Sequence, residues 1–335
     1  MSINKDRIII VSFFLISLAV LSACFTSCDK NKKKQSSVEE SFLPLPDFDA
    51  DSAYFFVKRQ TDFGPRVLGT DAHDKCGAWL ATTLSQYCDT VYEQRFTSKT
   101  YDGKSWNTVN YIGSFGPGKS SRLVLAAHWD SRPFADHDPN PANRNNAIDG
   151  ANDGASGVGV LLEVARQLQK SNPSVGVDIV FFDAEDYGPR EDENVSGDWW
   201  GLGAQYWAKN PHVQNYTAKY GILLDMVGSP NPRFMQEQFS LRDAQDVVRK
   251  VWSTAYSLGH GDYFQNKPGG IITDDHYYVN KYSNFKMIDI IHYDAASGTG
   301  FDPTWHTVND NINNIDRNSL KIVGTTLLQV IKNEE

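Results

Sequence analysis

Short apolar runs alternate with longer amphipathic stretches along most of the chain, which predicts strands and helices in turn. Runs rich in branched and aromatic side chains predict strands at residues 91–96, 107–113, 122–127, 176–182, 221–227 and 285–291. Apolar residues that recur every three or four positions predict helices at residues 51–60, 71–87, 155–169, 201–209, 241–258 and 319–332. This alternation predicts an α/β fold: a single domain with a central mixed, largely parallel β-sheet flanked by helices on both faces.

One of these apolar runs ends abruptly in acidic residues. Residues 176–182 have the composition of a buried central strand, and Asp183, Glu185 and Asp186 follow it directly. Burying carboxylates side by side is costly unless a cation or hydrogen bonds compensate their charge. Because ligands of open α/β sheets bind at the carboxyl ends of the strands, this end is a candidate site. Taken alone, however, the pattern fits an ordinary acidic loop equally well.

Other segments bring acidic or imidazole side chains to the same predicted edge of the sheet. These side chains are His128, Asp130, Asp153, Asp225, Asp274 and His306. Each has an ordinary explanation by itself, such as a helix cap for Asp153 or a core histidine for His128. Together they favour a shared function, since carboxylate and imidazole without thiolate form the ligand set of a catalytic zinc site.

Composition narrows the class of protein. The chain has 335 residues, of which 40% are hydrophobic, and its net charge is −9. With no long basic run in its body, it lacks the pattern of a nucleic-acid-binding protein. Cys76 and Cys88 are the cysteines of the body of the chain and form no CxxC pair, so we interpret them as core thiols.

The N-terminus has the pattern of a bacterial export signal. Lys5 and Arg7 precede an apolar run at residues 8–20, and Leu-Ser-Ala-Cys24 resembles the lipobox of bacterial lipoproteins. We therefore predict a lipoprotein signal peptide at residues 1–23, a flexible polar tether at 24–46 and a catalytic domain at 47–335. Lipidation at Cys24 would anchor the protein in the cell envelope on the periplasmic side. Cys28 is a second candidate, and an ordinary secretory signal or an uncleaved anchor are the alternatives.

The order of the motifs resembles the zinc aminopeptidase family, and more closely its glutaminyl-peptide cyclotransferase branch in the animal-like and bacterial form. The motifs are HxD at 128–130, GAxDxAS around Asp153, the acid pair at 185–186, LLD at 223–225, DDH at 274–276 and WHT at 305–307. The resemblance extends from about Phe55 to the C-terminus. It implies zinc-dependent cyclisation of an N-terminal glutamine to pyroglutamate, with release of ammonia.

The resemblance also implies roles for single residues. Asp153, Asp186 and His306 match the zinc ligands, with Asp186 standing where the animal enzymes have Glu, and Glu185 matches the general acid/base. The remaining matches are Asp225 and Asp274 as a hydrogen-bonded carboxylate pair, and Trp305 and Phe301 as pocket walls. Trp199 and Trp200 are further candidates for the pocket, one of them packing elsewhere.

His128 and Asp130 leave the number of metal ions open. His128 occupies the position that binds a second zinc in dinuclear peptidases, so one zinc is expected for a cyclase and two for a peptidase. An aminopeptidase of the same fold is therefore the alternative function, and a non-catalytic binding lipoprotein is the less favoured one. Asp274 within DDH and Trp305 before His306 favour the cyclase, with N-terminal glutamine peptides as substrates and a monomeric enzyme.

Overall fold

A computed structural model describes residues 42–44, 46–190 and 192–335 of the chain. The predicted signal peptide, Cys24, Cys28 and most of the predicted tether lie outside these residues. From Phe42 onward the chain forms one compact unit. None of the helices in these described ranges combines the length and apolar character needed to cross a bilayer.

Strands and helices alternate as the sequence predicts. The strands are β1 (Thr90–Lys99), β2 (Ser105–Phe115), β3 (Arg122–His128), β4 (Gly176–Phe182), β5 (Tyr220–Asp225), β6 (Phe234–Gln236), β7 (Phe264–Pro268) and β8 (Met287–Ile291). The helices are α1 (Ala50–Thr61), α2 (Asp71–Tyr87), α3 (Ala155–Ser171), α4 (Leu202–Lys209), α5 (Gln238–Ser257), α6 (Asp275–Tyr282) and α7 (Arg317–Asn333). Of these elements α6, β6 and β7 are absent from the sequence-based prediction.

The central sheet is mixed, which confirms the predicted fold class. Its strand order is β1-β2-β4-β3-β5-β8 within the described residues. β1 pairs with β2, and β2 with β4, in antiparallel fashion. The remaining pairs, β4 with β3, β3 with β5, and β5 with β8, are parallel. The parallel part of the sheet therefore presents the carboxyl ends of four strands along one edge.

Both faces of the sheet are covered, and the alternation within β3 shows how. Leu123 and Leu125 belong to a large core with residues of α1, α2, α3, α5 and α7. Val124 and Ala126 point to the other face and join a smaller core with residues of α4 and α6. Because successive side chains of a strand point to opposite faces, a strand buried on both sides reads as one continuous apolar run.

The two body cysteines are unpaired, as the sequence suggests. Cys76 is buried in α2, and Cys88 follows the last turn of that helix and is partly buried. Burial raises the pKa of each thiol to about 12. Neither is therefore a reactive thiolate near neutral pH.

Candidate active site

Three side chains from distant parts of the chain meet at the carboxyl edge of the sheet. His306 Nε2 lies 3.5 Å from an oxygen of Asp153 and 3.4 Å from an oxygen of Asp186. All three side chains are buried, and their ligand atoms lie within 4.8 Å of one another. The structure thus brings together the three residues that the resemblance implies as zinc ligands.

Backbone hydrogen bonds hold the two acids in place. Asp153 precedes α3, and its N–H and that of Asn152 donate to the carboxylate of Asp310 at 3.2 and 2.7 Å. Asp186 follows β4, and its N–H donates to Asp130 at 3.1 Å. Two further buried acids therefore position the candidate ligands: Asp310 holds Asp153, and Asp130 holds Asp186. Asp310 was not identified from the sequence.

The backbone near the site adopts conformations that side chains rarely tolerate. Apart from glycine and asparagine, the described residues with φ in the left-handed region are Ala184 (58°), Met226 (48°) and His306 (52°). Ala184 precedes Glu185, Met226 follows Asp225, and His306 is itself a site residue. Such conformations cost about 1–3 kcal/mol each and persist where the surroundings hold them. The strained backbone conformations are therefore found at the candidate site.

The arrangement of Asp153, Asp186 and His306 fits a zinc ion. With zinc bonds of about 2.0–2.2 Å, tetrahedral geometry separates ligand atoms by about 3.3–3.6 Å. The contacts of His306 with the two carboxylates, at 3.4 and 3.5 Å, match this spacing. In addition, Asp186 Oδ2 is buried without a hydrogen-bond partner. A buried carboxylate oxygen without a donor is expected where a cation binds.

A second group of possible ligands shares Asp153. His128 Nε2 lies 3.0 Å from Asp153 and 3.3 Å from Asp225. The 3.3 Å contact with Asp225 is a hydrogen bond, and the 3.0 Å contact with Asp153 is an ion pair when His128 is protonated. Burial alone would lower the pKa of His128, but hydrogen bonds to Asp130, Asp153 and Asp225 raise the pKa well above its usual value. His128 is thus surrounded by three carboxylates, whose charges favour its protonated form.

The contact between His128 and Asp153 is possible because Gly154 has no side chain. A Cβ at Gly154 would lie 2.5 Å from His128 Nε2 and 2.4 Å from the carbonyl oxygen of His128. No side chain fits there without a shift of backbone. The small residue after Asp153 in the GAxDxAS motif thus has a steric reason.

Glu185 lies beside the three-residue group with a perturbed acidity. Its backbone N–H donates to Asp130 at 3.0 Å, and its carbonyl accepts from the N–H of Gly201. Burial, with the charges of Asp274 and Asp186, raises its pKa well above the ordinary value, although His128 opposes this. A buried carboxyl group whose pKa is raised in this way is a candidate general acid/base.

Asp225 and Asp274 face the same cavity, but the contacts described for them lead elsewhere. Asp225 contacts His128, and Asp274 caps α6 by accepting from the N–H of Asp275. Burial and then the charge of Asp153 raise the pKa of Asp225 to about 8, and burial likewise raises the pKa of Asp274. Both shifts favour the protonated form of the carboxyl group.

A cavity of about 260 Å³ opens onto these acids. Its aromatic walls are Trp200, Phe301 and Trp305, and Trp305 stacks on His306 with ring centroids 3.8 Å apart. Trp199 does not line this cavity: its Nε1–H donates to Ser196 within its own loop. Of the two candidate tryptophans, Trp200 lines the cavity and Trp199 does not. Trp199 is therefore no longer a candidate for the pocket.

The loop at residues 136–149, which has many turn-forming residues, lies at this edge as well. The Asp138 carboxylate accepts from the N–H of Asn140 and the side chain of Asn143, which are the contacts of an ordinary turn. It also accepts from the N–H of Val308, which joins this loop to a distant part of the chain. Asp136 instead approaches His306 Nδ1 at 3.4 Å.

Several buried charged residues near the site were not identified from the sequence. Behind Asp274 lie His276, Glu237 and Asp289, where His276 contacts Glu237 at 3.0 Å and Asp289 at 3.8 Å. Arg132 is buried between Asp136 and Asp186. These residues are hard to identify from the sequence because none of them is the first polar residue after an apolar run. That pattern identified several other residues of the site.

Comparison with known proteins places this geometry in a family context. Residues 110–331 match the model of peptidase family M28. The chain is 27% identical over 255 residues to bovine glutaminyl-peptide cyclotransferase, a match that covers 67% of this chain and 65% of that protein. The matched part thus spans slightly less than two thirds of the curated relative.

Two crystal structures match over nearly the whole described domain. A Zn-dependent exopeptidase from Parabacteroides distasonis is 55% identical, with a TM-score of 0.85 over 87% of this chain and 100% of that chain. A glutaminyl cyclase from Tannerella forsythia is 52% identical, also with a TM-score of 0.85, 87% of this chain and 100% of that chain.

Proposed function

The chain belongs to peptidase family M28, and we propose that it is a zinc-dependent glutaminyl cyclase. It converts the N-terminal glutamine of peptides and proteins to pyroglutamate and releases ammonia. The observation that carries this proposal is the cavity of about 260 Å³. It combines the three-residue metal group and Glu185 with aromatic walls, at a size suited to one substrate side chain. The identity with relatives named as glutaminyl cyclases supports the same function.

Asp153, Asp186 and His306 would hold the metal, since two carboxylates and one imidazole leave an open ligand position. A zinc ion bound there supplies a Lewis acid for the γ-amide carbonyl of the glutamine. The α-amine of the same residue is the nucleophile, so the substrate itself provides proximity. The protein's remaining tasks are to orient the side chain and to move protons.

Glu185 performs the proton transfer in this proposal. As the α-amine nitrogen bonds to the γ-amide carbon, Glu185 accepts a proton from that nitrogen. It then gives the proton to the amide nitrogen as the carbon–nitrogen bond breaks and ammonia leaves. Its pKa is raised, which brings the carboxyl group closer to the range in which it both accepts and donates a proton.

Asp225 and Asp274 assist at the leaving nitrogen. Both side chains line the cavity, and both have raised pKa values. One of the two carboxyl groups can therefore supply a proton near neutral pH. Trp200, Phe301 and Trp305 provide flat apolar walls for the methylene groups of the glutamine.

We propose that the enzyme holds one zinc ion. The distances from His306 to Asp153 and Asp186 suit ligands of one metal ion, whereas His128 Nε2 lies only 3.0 Å from Asp153, closer than two ligands of one zinc ion. Purified protein should therefore contain about one equivalent of zinc, and His128→Ala should retain it. Two equivalents in the wild type, reduced to one by His128→Ala, would contradict this proposal.

An aminopeptidase is the second candidate function. A peptidase is expected to hold two zinc ions, and the structure has a second set of possible ligands in His128, Asp153 and Asp225. This set shares Asp153 with the first one. Glu185 would then activate a water molecule instead of an amine. The two functions give different products from a glutamine dipeptide, which is the basis of the experiment that closes the Discussion.

We further propose that the enzyme is a monomer anchored in the bacterial cell envelope through Cys24. The basis is the lipobox-like sequence Leu-Ser-Ala-Cys, followed by a polar tether. Cys24→Ser should abolish incorporation of labelled fatty acid in cells, whereas Cys28→Ser should not. The reverse result would assign the lipid to Cys28, and light scattering of the soluble domain tests the monomer.

A further inference from the structure

Arg132 is a buried charge whose contacts converge on the candidate metal ligands. It follows β3 by four residues, and the side chain is 1% exposed. A guanidinium group carries five N–H donors in a rigid planar fork. Six acceptor oxygens lie within hydrogen-bond distance of its three nitrogens. A buried arginine with its donors fully used fixes the positions of its partners.

One side of the fork holds Asp136, and through it His306. Arg132 Nε and Nη2 donate to the two oxygens of Asp136 at 2.8 and 2.6 Å. The same Asp136 oxygen that accepts from Nε lies 3.4 Å from His306 Nδ1. His306 Nδ1 has no hydrogen-bond partner, so this contact is an ion pair rather than a hydrogen bond. A carboxylate that faces Nδ1 favours the ring orientation that directs Nε2 toward the metal position, as in the carboxylate–histidine–zinc arrangement of other metalloenzymes.

The other side of the fork holds Asp186 and the loop after it. Nη1 donates to the backbone carbonyl of Asp186 at 3.1 Å and lies 3.4 Å from its Oδ1. Further contacts reach the carbonyls of Gly188 at 3.3 Å and Pro189 at 3.4 Å. Asp186 Oδ2 remains without a partner. The guanidinium thus contacts the same oxygen of Asp186 that faces His306 Nε2, and it does not contact the other.

The face of the guanidinium also supports a wall of the cavity. The Arg132 carbon Cζ lies 4.8 Å from the ring centroid of Trp200. The Trp200 ring is nearly parallel to the His306 ring, at 9° and 6.5 Å between centroids. The N–H groups of Arg132 therefore contact Asp186, a candidate metal ligand, and Asp136, the partner of His306. The flat face of its guanidinium contacts Trp200, a wall of the cavity.

We propose that Arg132 is a positioning residue that sets the geometry of Asp186 directly and of His306 through Asp136, and that couples this geometry to the pocket wall at Trp200. The inference rests on the proposed zinc-dependent function. Lysine cannot replace this fork, because an ammonium group cannot form the bidentate pair and the loop contacts at once.

The test compares two conservative variants, Arg132→Lys and Arg122→Lys. Arg122 is a matched control at the opposite end of β3, buried and paired with both oxygens of Asp178 at 2.7 and 2.5 Å. Zinc affinity is measured by competition with a chromophoric chelator, and thermal unfolding of each variant reports the fold. Arg132→Lys should weaken zinc binding by about 10- to 100-fold, the usual effect of losing a residue behind a metal ligand. Arg122→Lys should lose stability but keep its zinc affinity.

Two further measurements separate positioning from a general structural role. Asp136→Asn retains the shape but not the charge, and should weaken zinc binding while the protein stays folded. With zinc in excess, Arg132→Lys should recover kcat for a glutamine peptide more fully than KM, because added metal does not restore the support under Trp200.

Zinc binding by Arg132→Lys within about threefold of wild type would overturn the proposal, since the expected loss is at least tenfold. Equal losses in Arg132→Lys and Arg122→Lys would also overturn it, because they would indicate general destabilisation. A wild-type protein that binds no zinc would instead overturn the proposed function itself.

Discussion

At the scale of single residues, neighbouring acids differ in chemistry because they have different neighbours. Glu185 and Asp186 are adjacent, and both backbone N–H groups donate to Asp130. Burial and the charge of Asp153 raise the pKa of Asp186, although His306 and Arg132 beside it favour its ionised form. Glu185 instead faces further carboxylates, which favour its protonated form. The two acids thus differ in their contacts: Asp186 lies against two basic side chains, as suits a metal ligand, whereas Glu185 lies among carboxylates, as suits a group that transfers protons.

Glu185→Gln tests that assignment. The amide retains the size of the side chain but cannot carry the proton, so turnover should fall by about 10²–10⁴. Zinc content and thermal stability should stay near the wild-type values. Glu163→Gln is a suitable control, because Glu163 is also buried but pairs with Arg166 on α3. A Glu185→Gln variant with more than about a tenth of wild-type kcat would exclude Glu185 as the proton carrier.

The residues at the ends of predicted strands could be identified from the sequence, whereas their buried partners could not. His128, Glu185 and Asp225 stand out because an apolar run ends at a polar residue. Arg132 and Asp136 have no such signal, since the path of a polar loop is set by tertiary contacts. The roles of the identified residues remain predictions, and the structure provides the geometry for them.

At the scale of secondary-structure elements, one acid at the start of α5 joins three segments. The Glu237 carboxylate accepts from the N–H groups of Phe239 and Ser240 at 2.8 and 2.6 Å, which caps the helix. It also accepts from the N–H of Ile272 at 3.2 Å and contacts His276 of α6 at 3.0 Å. The cap thus fixes α5 against the segment that carries Asp274.

This network predicts a pH-dependent contribution to stability. Burial alone would raise the pKa of Glu237, but His276 and the backbone N–H groups lower it to about 2, from 4.5. That difference corresponds to roughly 3 kcal/mol at neutral pH. Because the pKa is lower in the folded protein, the contribution is present above about pH 4.5 and is lost as the pH falls toward about 2.

Glu237→Gln should therefore reduce the free energy of unfolding by up to about 3 kcal/mol at pH 7, with a smaller difference from wild type at pH 4. Urea unfolding at several pH values measures the difference. Asp246→Asn, at an exposed position of the same helix, controls for the change in net charge. A difference between Glu237→Gln and wild type that stays constant from pH 7 to pH 4 would contradict this interpretation.

Periodicity predicted the long elements well because packing on the sheet decides their patterns. The helix at 71–87 and the strand at 176–182 have the predicted bounds. The short helix α6 was not predicted: it has eight residues, several of them tyrosines, and it starts at the Asp274 cap. Its stability comes from packing with α4 and β8, a contact that local sequence does not encode.

At the scale of the whole molecule, the parallel register of the sheet explains how the site assembles. β3, β4 and β5 are neighbours and run in the same direction, so His128, the acids after Phe182 and Asp225 reach one edge together. This part follows from the fold class. The position of His306 does not, because a turn rather than a strand carries it. Long-range loop contacts, such as Val308 to Asp138 over 170 positions, hold that turn.

The same architecture accommodates cyclases and peptidases, so the fold alone does not separate the two reactions. The difference lies in which carbonyl of the substrate meets the metal group. A cyclase places the γ-amide of the glutamine there, whereas a peptidase places the backbone amide.

Mass spectrometry of the products from a Gln-Xaa dipeptide tests this central claim most directly. The zinc-loaded enzyme should release one ammonia and leave a dipeptide lighter by that mass, with the Gln–Xaa bond intact. Glu185→Gln should form this product at a strongly reduced rate. Release of free Xaa without ammonia would contradict the cyclase and establish the aminopeptidase.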